Sequence, residues 1–250
     1  MMDKTFEGKV VLVTGGTRGL GVELTRAFAD RGATVAISYV ASKARAEAMV
    51  AELEGRGVKA AAFQADQADR AQAAGLIDAV VARFGKLDIL INNAAVSAYG
   101  LIDSPDTDFD ALDHAWAVNV MGLVATTRAA AKVMSDNGRI IFLGSSMGKV
   151  TGMPAAADNS GMKSMMDGYA RGVARDLAPR GITVNVVHAG LMKTDMTITY
   201  AKDLEAAVKA FAFPRFAELE EMVRPVLFFA DPATVMITGV SIDADGGRLA

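Results

Sequence analysis

Short runs of β-branched apolar residues alternate with longer alanine-rich stretches through the first half of the chain, and this alternation constrains the fold most. A run of roughly four to eight residues suits a strand, and a stretch of about ten or more suits a helix. Predicted strands are 10–13, 34–39, 59–64 and 89–91, and predicted helices are 19–31, 43–56 and 70–84. Because such strands are apolar on both faces, the pattern predicts an α/β fold with one doubly wound parallel sheet and helices on both faces.

The second half of the chain continues this pattern. Further strands are predicted at 139–143, 183–187 and 241–243, and further helices at 109–135 and 159–177. No internal repeat or linker divides the chain, so residues 1–250 are predicted to form a single domain.

Between Leu191 and Phe213 the helical pattern weakens. Three prolines are predicted to interrupt any helix that follows: Pro214, Pro225 and Pro232. Residues from about 191 to 216 are therefore predicted to form a lid over a substrate site.

The composition excludes several kinds of site. With no cysteine the chain holds no disulfide, thiolate-bound metal or cysteine nucleophile, and with only two histidines no metal site is expected. Lys and Arg number 26 and Asp and Glu number 29, without a basic cluster, which argues against nucleic acid as a partner. No apolar run approaches the roughly 20 residues that span a bilayer, and the first residues do not resemble a targeting signal. A cytoplasmic protein without membrane contact is predicted.

A glycine-rich loop follows the first predicted strand and opens the first predicted helix, in the order Thr14-Gly15-Gly16-Thr17-Arg18-Gly19-Leu20-Gly21. Such a loop lets backbone N–H groups approach a pyrophosphate, and the helix N-terminus adds a favourable partial charge. A plain tight turn is the alternative. Residues predicted to bind a cofactor here are Gly15, Thr17, Arg18, Gly19, Leu20 and Gly21.

Four motifs in this order resemble those of the short-chain dehydrogenase/reductases, especially the 3-oxoacyl-carrier-protein-reductase-like members. They are the glycine loop, Asn92-Asn93-Ala94-Ala95, the set Asn119, Ser145 and Lys163, and His188-Ala189-Gly190 followed by Thr194. The resemblance implies a Rossmann-type fold and hydride transfer between a nicotinamide cofactor and a carbonyl or alcohol substrate. It further implies cofactor binding by Asn92, Ala94, Lys163, Gly190 and Thr194, and a homotetramer or dimer.

The charges around the second predicted strand favour NADP(H) over NAD(H). An acidic residue about 20 positions after the glycines binds the ribose 2′-hydroxyl of NAD, whereas a basic residue accommodates the 2′-phosphate of NADP. Here the strand ends at Ser38-Tyr39 without an acid, and Ser42 and Lys43 follow it. Arg18 lies in the glycine loop itself. Asp66 is expected near the adenine, by resemblance to the family.

The family's tyrosine, four residues before the lysine, is the general acid/base, and Asn159 occupies that position here. Residues four apart on a helix share a face, so Asn159 and Lys163 should point together toward the cofactor. An amide donates a hydrogen bond but does not usefully give up its proton. Loss of a positioned acid costs about 10² to 10⁴ in rate.

Three side chains are candidates to replace the tyrosine: Asp158, Tyr99 and His188. The alternative for Asp158 is a solvated carboxylate at the start of a helix, and the alternative for Tyr99 is packing within its loop. The alternative for His188 is a purely structural role at the end of its strand. Ser145 is preferred over Ser146 as the residue that polarises the substrate oxygen. In the family, Asn119 would hold a water that links Lys163 to solvent.

The residues therefore predict an NADP(H)-dependent oxidoreductase that interconverts a ketone and a secondary alcohol. The methionines Met147, Met153, Met192 and Met196 favour an apolar substrate, with core packing as the alternative. Two other interpretations stay open because of Asn159. In the first, the protein is a non-catalytic cofactor-binding subunit that partners an active relative. In the second, it is an engineered inactive variant.

Overall fold

Seven strands form the centre of the molecule in a computed structural model that describes residues 4–197 and 201–250, without the side chains of 201–203. The strands are β1 Val10–Val13, β2 Thr34–Tyr39, β3 Ala60–Gln64, β4 Ile89–Asn92, β5 Arg139–Ser145, β6 Thr183–Ala189 and β7 Ser241–Ala244. They are all parallel and lie in the order β3-β2-β1-β4-β5-β6-β7. The order reverses between β1 and β4, which creates the crevice where such sheets bind ligands.

Helices connect these strands and cover the sheet. They are α1 Gly19–Ala29, α2 Lys43–Gly55, α3 Arg70–Phe84, α4 Phe109–Trp116, α5 Leu123–Val133, α6 Ala157–Leu177, α7 Ala201–Val208 and α8 Leu219–Ala230. Short 3₁₀ turns lie at Ser146–Gly148 and Ala178–Arg180. In the described part of the chain no helix is both long and apolar enough to cross a membrane.

Alternate residues of the strands enter two separate cores, one on each face of the sheet. In β1, Val11 and Val13 pack with α1, α2 and α8, whereas Val10 and Leu12 pack with α3, α5 and α6. All four valine and leucine side chains are fully or almost fully buried. The predicted Rossmann-type α/β fold, doubly wound with helices on both faces, is confirmed.

The predicted helix 109–135 is interrupted, which corrects that prediction. A π-helical turn, Ala117–Gly122, separates α4 from α5. Within it the Asn119 side chain accepts a hydrogen bond from the Val96 amide at 2.9 Å and donates one to the Val96 carbonyl at 2.8 Å. Apolar periodicity does not reveal such a turn, because both flanking helices keep the same buried face.

Pro225 lies inside α8, so the prediction that it interrupts helix was wrong. A proline within a helix removes one backbone hydrogen bond and costs about 3 kcal/mol or more. The helix nevertheless continues because Val226, Phe229 and Ala230 are fully buried in the core shared with α1 and α2. Packing of this face outweighs the local cost.

The predicted lid leaves and rejoins the body of the protein at one place. Met192 pairs with Ala217 in an isolated bridge, and the Ala217 amide donates to the Leu191 carbonyl at 2.8 Å. Helix α7 lies between these ends, and residues 198–200 of the segment lie outside the described residues. The other predicted strand and helix boundaries fall within two residues of the observed ones.

Candidate active site

A cavity of about 530 Å³ lies at the carboxyl edge of the sheet, in the described part of the chain. Its walls come from the loops after β1 to β4, the ends of β5 and β6, and side chains of α4 and α6. Predicted site residues that line it are Gly15, Thr17, Arg18, Gly19, Leu20, Ser38, Ser42, Asp66, Ala94, Ser145, Asn159, Lys163, Gly190 and Thr194. One cavity thus joins the glycine loop to the predicted catalytic residues.

The glycine loop approaches the β4 loop so closely that side chains are excluded. Gly15 has a φ of +66°, and a Cβ there would lie 3.0 Å from the Ala94 Cα. Gly21 does not line the cavity, although it was predicted to bind cofactor. A Cβ on Gly21 would clash with the Gly15 carbonyl oxygen, so Gly21 instead allows the loop to turn tightly against α1.

Hydrogen bonds hold these two loops together. The Thr14 hydroxyl accepts from the amides of Asn93 and Ala94, each at 3.0 Å. The Asn93 side chain donates to the carbonyls of Thr14 and Gly15, at 2.9 and 3.2 Å. The backbone that would meet a pyrophosphate is therefore fixed before any ligand binds.

The N-terminus of α1 opens directly into the cavity. Arg18 occupies the N-cap position with an extended backbone, and no side chain caps the helix. The first-turn N–H groups of a helix have no partners within the helix, and they favour an anion. The exposed Arg18 side chain adds a positive charge at the same place.

Beyond this helix end, the first turn of α2 offers a second cation, Arg45, that was not predicted from the sequence. Arg45 lines the cavity, whereas Lys43 does not and instead pairs with Glu47 at 3.7 Å. Arg45 lies 3.5 Å from Asp195 of the lid segment, and both side chains are more than half exposed. The sequence did contain a signal for this cation, because Arg45 is a basic residue three positions after Ser42, at the start of the predicted helix 43–56.

Ser38 and Asp66 line the same part of the cavity. The buried Ser38 hydroxyl accepts from the Gly15 amide at 3.1 Å, and the Asp66 carboxylate accepts from the Ala68 amide at 2.8 Å. No acid stands at the end of β2. Arg18, Ser42 and Arg45 together give a donor set that suits a phosphate.

At the other end of the cavity, Ser145 is the last residue of β5, while Asn159 and Lys163 project from α6. The Ser145 oxygen accepts from the Met147 amide at 3.2 Å, which leaves its hydroxyl proton available. Ser146, the competing serine, is buried and accepts from Arg248 at 3.2 Å. These placements favour Ser145 for contact with a substrate.

Asn159 is 6% exposed, and its carboxamide makes no hydrogen bond with the described protein atoms. Because this amide lines the cavity and has no protein partner, it is available to hydrogen-bond water or a ligand there. The Lys163 ammonium donates to the Leu143 carbonyl at 3.3 Å. Burial away from water lowers the pKa of Lys163 from 10.5 to about 8.

Besides Gly21, two residues predicted in the site, Asn119 and Asn92, do not line the cavity. Asn119 bonds to Val96, as described above, and its amide lies 3.5 Å from the sulfur of Met162, next to Lys163. The buried Asn92 side chain donates to Thr127 at 3.4 Å, and it is Asn93 that reaches the cavity. The motif was located correctly, but its two asparagines differ in direction because successive residues of a strand point to opposite faces.

The three candidates to replace the missing tyrosine lie in different surroundings. Asp158 accepts from the indole N–H of Trp116 at 2.7 Å. His188 is fully buried, with Nε2 2.9 Å from Asp167, and it does not line the cavity. Tyr99 does line the cavity, with its hydroxyl 4.0 Å from the Met147 sulfur. Of these three side chains, only that of Tyr99 borders the cavity.

Methionine side chains line the cavity near the lid. Met147, Met192 and Met196 do so, but Met153 is 46% exposed and lies outside it. Thioethers adapt to irregular apolar surfaces.

The donor set fits a nicotinamide dinucleotide. A tight glycine turn and an uncapped helix end suit the pyrophosphate, and Lys163 suits the hydroxyls of the nicotinamide ribose. The closeness of Gly15 to Ala94 keeps side chains out of the place where the backbone would meet that ligand.

Known proteins resemble the chain over nearly its whole length. A family model described as enoyl-(acyl carrier protein) reductase matches residues 15–248. A 3-oxoacyl-[acyl-carrier-protein] reductase of Staphylococcus aureus is 35% identical, over 96% of this chain and 97% of its own. A short-chain dehydrogenase of Burkholderia cenocepacia, solved in complex with NADP, is 36% identical with a TM-score of 0.94, over 98% of this chain and all of its own. A blue fluorescent protein from a metagenomic library, solved with NADPH, is 36% identical with a TM-score of 0.93, over 98% and 99%. The matched region contains every residue that lines the cavity.

Proposed function

Because the chain belongs to the short-chain dehydrogenase/reductase family of oxidoreductases, we propose that it interconverts a ketone and a secondary alcohol with NADP(H). The observation that carries this proposal is the continuity of the cavity, which connects a phosphate-binding helix end to Ser145 and Lys163. A binding module would need only the first of these two ends.

The choice of NADP(H) rests on Arg18, Ser42 and Arg45 around the loop after β2, where no carboxylate follows the strand. A 2′-phosphate would receive charge-assisted hydrogen bonds from this group. A ribose 2′-hydroxyl would lack the acidic partner that NAD sites provide. The relatives solved with NADP and NADPH support the same choice.

When bound, the cofactor supplies or accepts a hydride at the substrate carbon. Ser145 donates its hydroxyl proton as a hydrogen bond to the substrate oxygen and so stabilises the negative charge that develops there. Asn159 donates a second hydrogen bond from its amide to the same oxygen or to an adjacent water. Lys163 holds the nicotinamide ribose, and Asn119 fixes the Val96 loop against α6.

The substrate class is an apolar ketone or the corresponding alcohol. Met147, Met192 and Met196 line the cavity beside Ser145 and the lid segment from about 191 to 216. The 3-oxoacyl substrate in the name of one relative is itself a ketone. The lid would cover such a substrate and exclude water from it.

The test is NADPH oxidation with ketones of graded size, with this protein and its Asn159→Tyr variant side by side. We expect slow turnover by the protein and turnover about 10² faster by the variant, since a positioned acid is worth about 10² to 10⁴. Asp158→Asn serves as the matched control, because Asp158 contacts Trp116 outside the proposed chemistry. Failure of both proteins to reduce any ketone while NADPH binds would refute the proposal.

A non-catalytic cofactor-binding subunit is the second candidate, and Asn159 is the observation that favours it. Under that function NADPH binds, Asn159→Tyr adds no turnover, and the protein assembles with an active relative.

A further inference from the structure

A ketone that accepts a hydride must also receive a proton, and the family's phenol is absent from this cavity. The question of the proton source rests on the proposed function. Asp158 is bound to Trp116, and His188 lies outside the cavity. The described side chains that reach the Ser145 end and carry a transferable proton include Tyr99, His114 and Lys163.

Lys163 is the best placed of these. It projects from α6 one turn after Asn159, so both side chains face the same part of the cavity as Ser145. An ammonium has three N–H groups, and the described protein atoms accept from only one, through the long 3.3 Å contact with Leu143. Of the remaining two N–H groups, one can donate to the nicotinamide ribose and the other is available to a water in the cavity.

The acidity of Lys163 suits this role. Its pKa of about 8 arises from burial and not from a neighbouring charge. A general acid works best when its pKa lies near the working pH, and an ordinary lysine is too weak an acid for that. Other ionisable side chains that line the same cavity are those of Arg18, Tyr39, Arg45, Asp66, Tyr99, His114 and Asp195.

Asn159 supplies the connection between this ammonium and the substrate. Asn159 as a residue is 94% buried, its carboxamide has no protein partner in the described residues, and it borders the cavity. A carboxamide both donates and accepts, so it can hold a water by either group. Because asparagine is shorter than tyrosine, the position of the family's phenol oxygen is left to solvent.

We propose that the Lys163 ammonium is the proton donor for ketone reduction, and that Asn159 positions the water through which the proton passes. In this step the ketone carbon accepts a hydride and its electron pair from the reduced nicotinamide, and the π pair of the C=O bond moves to the oxygen. That oxygen takes a proton from the water, and the water takes one from Lys163. The products are the alcohol, the oxidised nicotinamide and a neutral lysine, which solvent reprotonates.

The pH dependence of reduction tests this assignment. We expect kcat/KM to be level below about pH 8 and to fall tenfold per pH unit above it, because only the ammonium donates. Lys163→Arg keeps the positive charge but does not release a proton at these pH values. This variant should bind NADPH within about threefold of the parent, by fluorescence titration, and reduce the ketone at least 10²-fold more slowly.

Two control variants separate the alternatives. Tyr99→Phe removes a phenol that also lines the cavity, and whatever its effect on KM, the fall in kcat/KM near pH 8 should remain. Asn159→Tyr introduces a phenol and should raise the rate and abolish the fall near pH 8. A Tyr99→Phe variant that loses the fall, or a Lys163→Arg variant as fast as the parent, would overturn the proposal.

A direct titration provides a readout that does not depend on turnover. In the protein labelled with ¹⁵N-lysine, the resonance that Lys163→Arg removes should titrate near pH 8, and a value near 10.5 would overturn the proposal. If the parent reduces ketones but its kcat/KM does not fall above about pH 8, the proposed function stands and the donor assignment fails. If NADPH binds and no variant reduces any ketone, the proposed function itself fails.

Discussion

Replacing Arg45 by alanine removes the guanidinium that we place against the 2′-phosphate of NADPH. A hydrogen bond to a charged group contributes about 1.5 to 3 kcal/mol, and binding must also displace Asp195 from its 3.5 Å contact with Arg45. Because both partners are more than half exposed, that contact is worth at most about 1 kcal/mol. With the full 1 kcal/mol subtracted, the net loss is about 0.5 to 2 kcal/mol, which weakens NADPH binding about two- to thirtyfold.

Fluorescence titration with NADPH and NADH measures this effect in the parent, Arg45→Ala and Lys43→Ala. NADH lacks the 2′-phosphate, so its dissociation constant should be unchanged in both variants. Lys43→Ala is the matched control, because Lys43 lies on the same helix turn but pairs with Glu47 outside the cavity. An Arg45→Ala variant that binds NADPH within twofold of the parent, or loses NADH affinity equally, would refute the reasoning.

Three further outcomes are expected. Lys163→Met should stabilise the ligand-free protein in denaturant titrations below pH 8, by at most about 3 kcal/mol. The folded-state pKa of about 8 lies below the unfolded value of 10.5, so the unfolded chain binds more protons between these values and parental stability rises with pH there. The stability advantage of Lys163→Met should thus vanish above about pH 10.5. A difference in free energy of unfolding that stays constant with pH would contradict this prediction. Gly21→Ala should cost about 1 to 3 kcal/mol, since its methyl meets the Gly15 carbonyl, whereas Gly75→Ala, with open space around its Cβ, should not lower the melting temperature. Sedimentation should give two or four times the 26.1 kDa mass of one chain, and a monomer would exclude the expected homo-oligomer.

The sheet was predictable from sequence because each strand is short, apolar on both faces and bounded by turn residues. Two predictions about where helices are interrupted were wrong, for opposite reasons. The π-helical turn at Ala117–Gly122 depends on the Asn119 contact with Val96, which joins residues 23 positions apart. Pro225 is a strong local signal, but the buried face of α8 overrides it.

The candidate site was predictable where function depends on backbone and motif spacing, as at Gly15, Ser145 and Lys163. The directions in which side chains point were harder to predict from the sequence. Neighbours such as Asn92 and Asn93, or Lys43 and Arg45, differ only in which way they point, and that depends on the packed structure. The burial that lowers the pKa of Lys163 is likewise a property of the whole fold.

Transfer of deuterium from NADPH labelled at both C4 positions tests the central claim most directly. Mass spectrometry of the alcohol formed from an apolar ketone would detect the label at the carbinol carbon. We expect one deuterium per alcohol molecule with this protein, and the same product formed faster with Asn159→Tyr. Binding of the labelled NADPH by both proteins without deuterium in any alcohol would contradict the account.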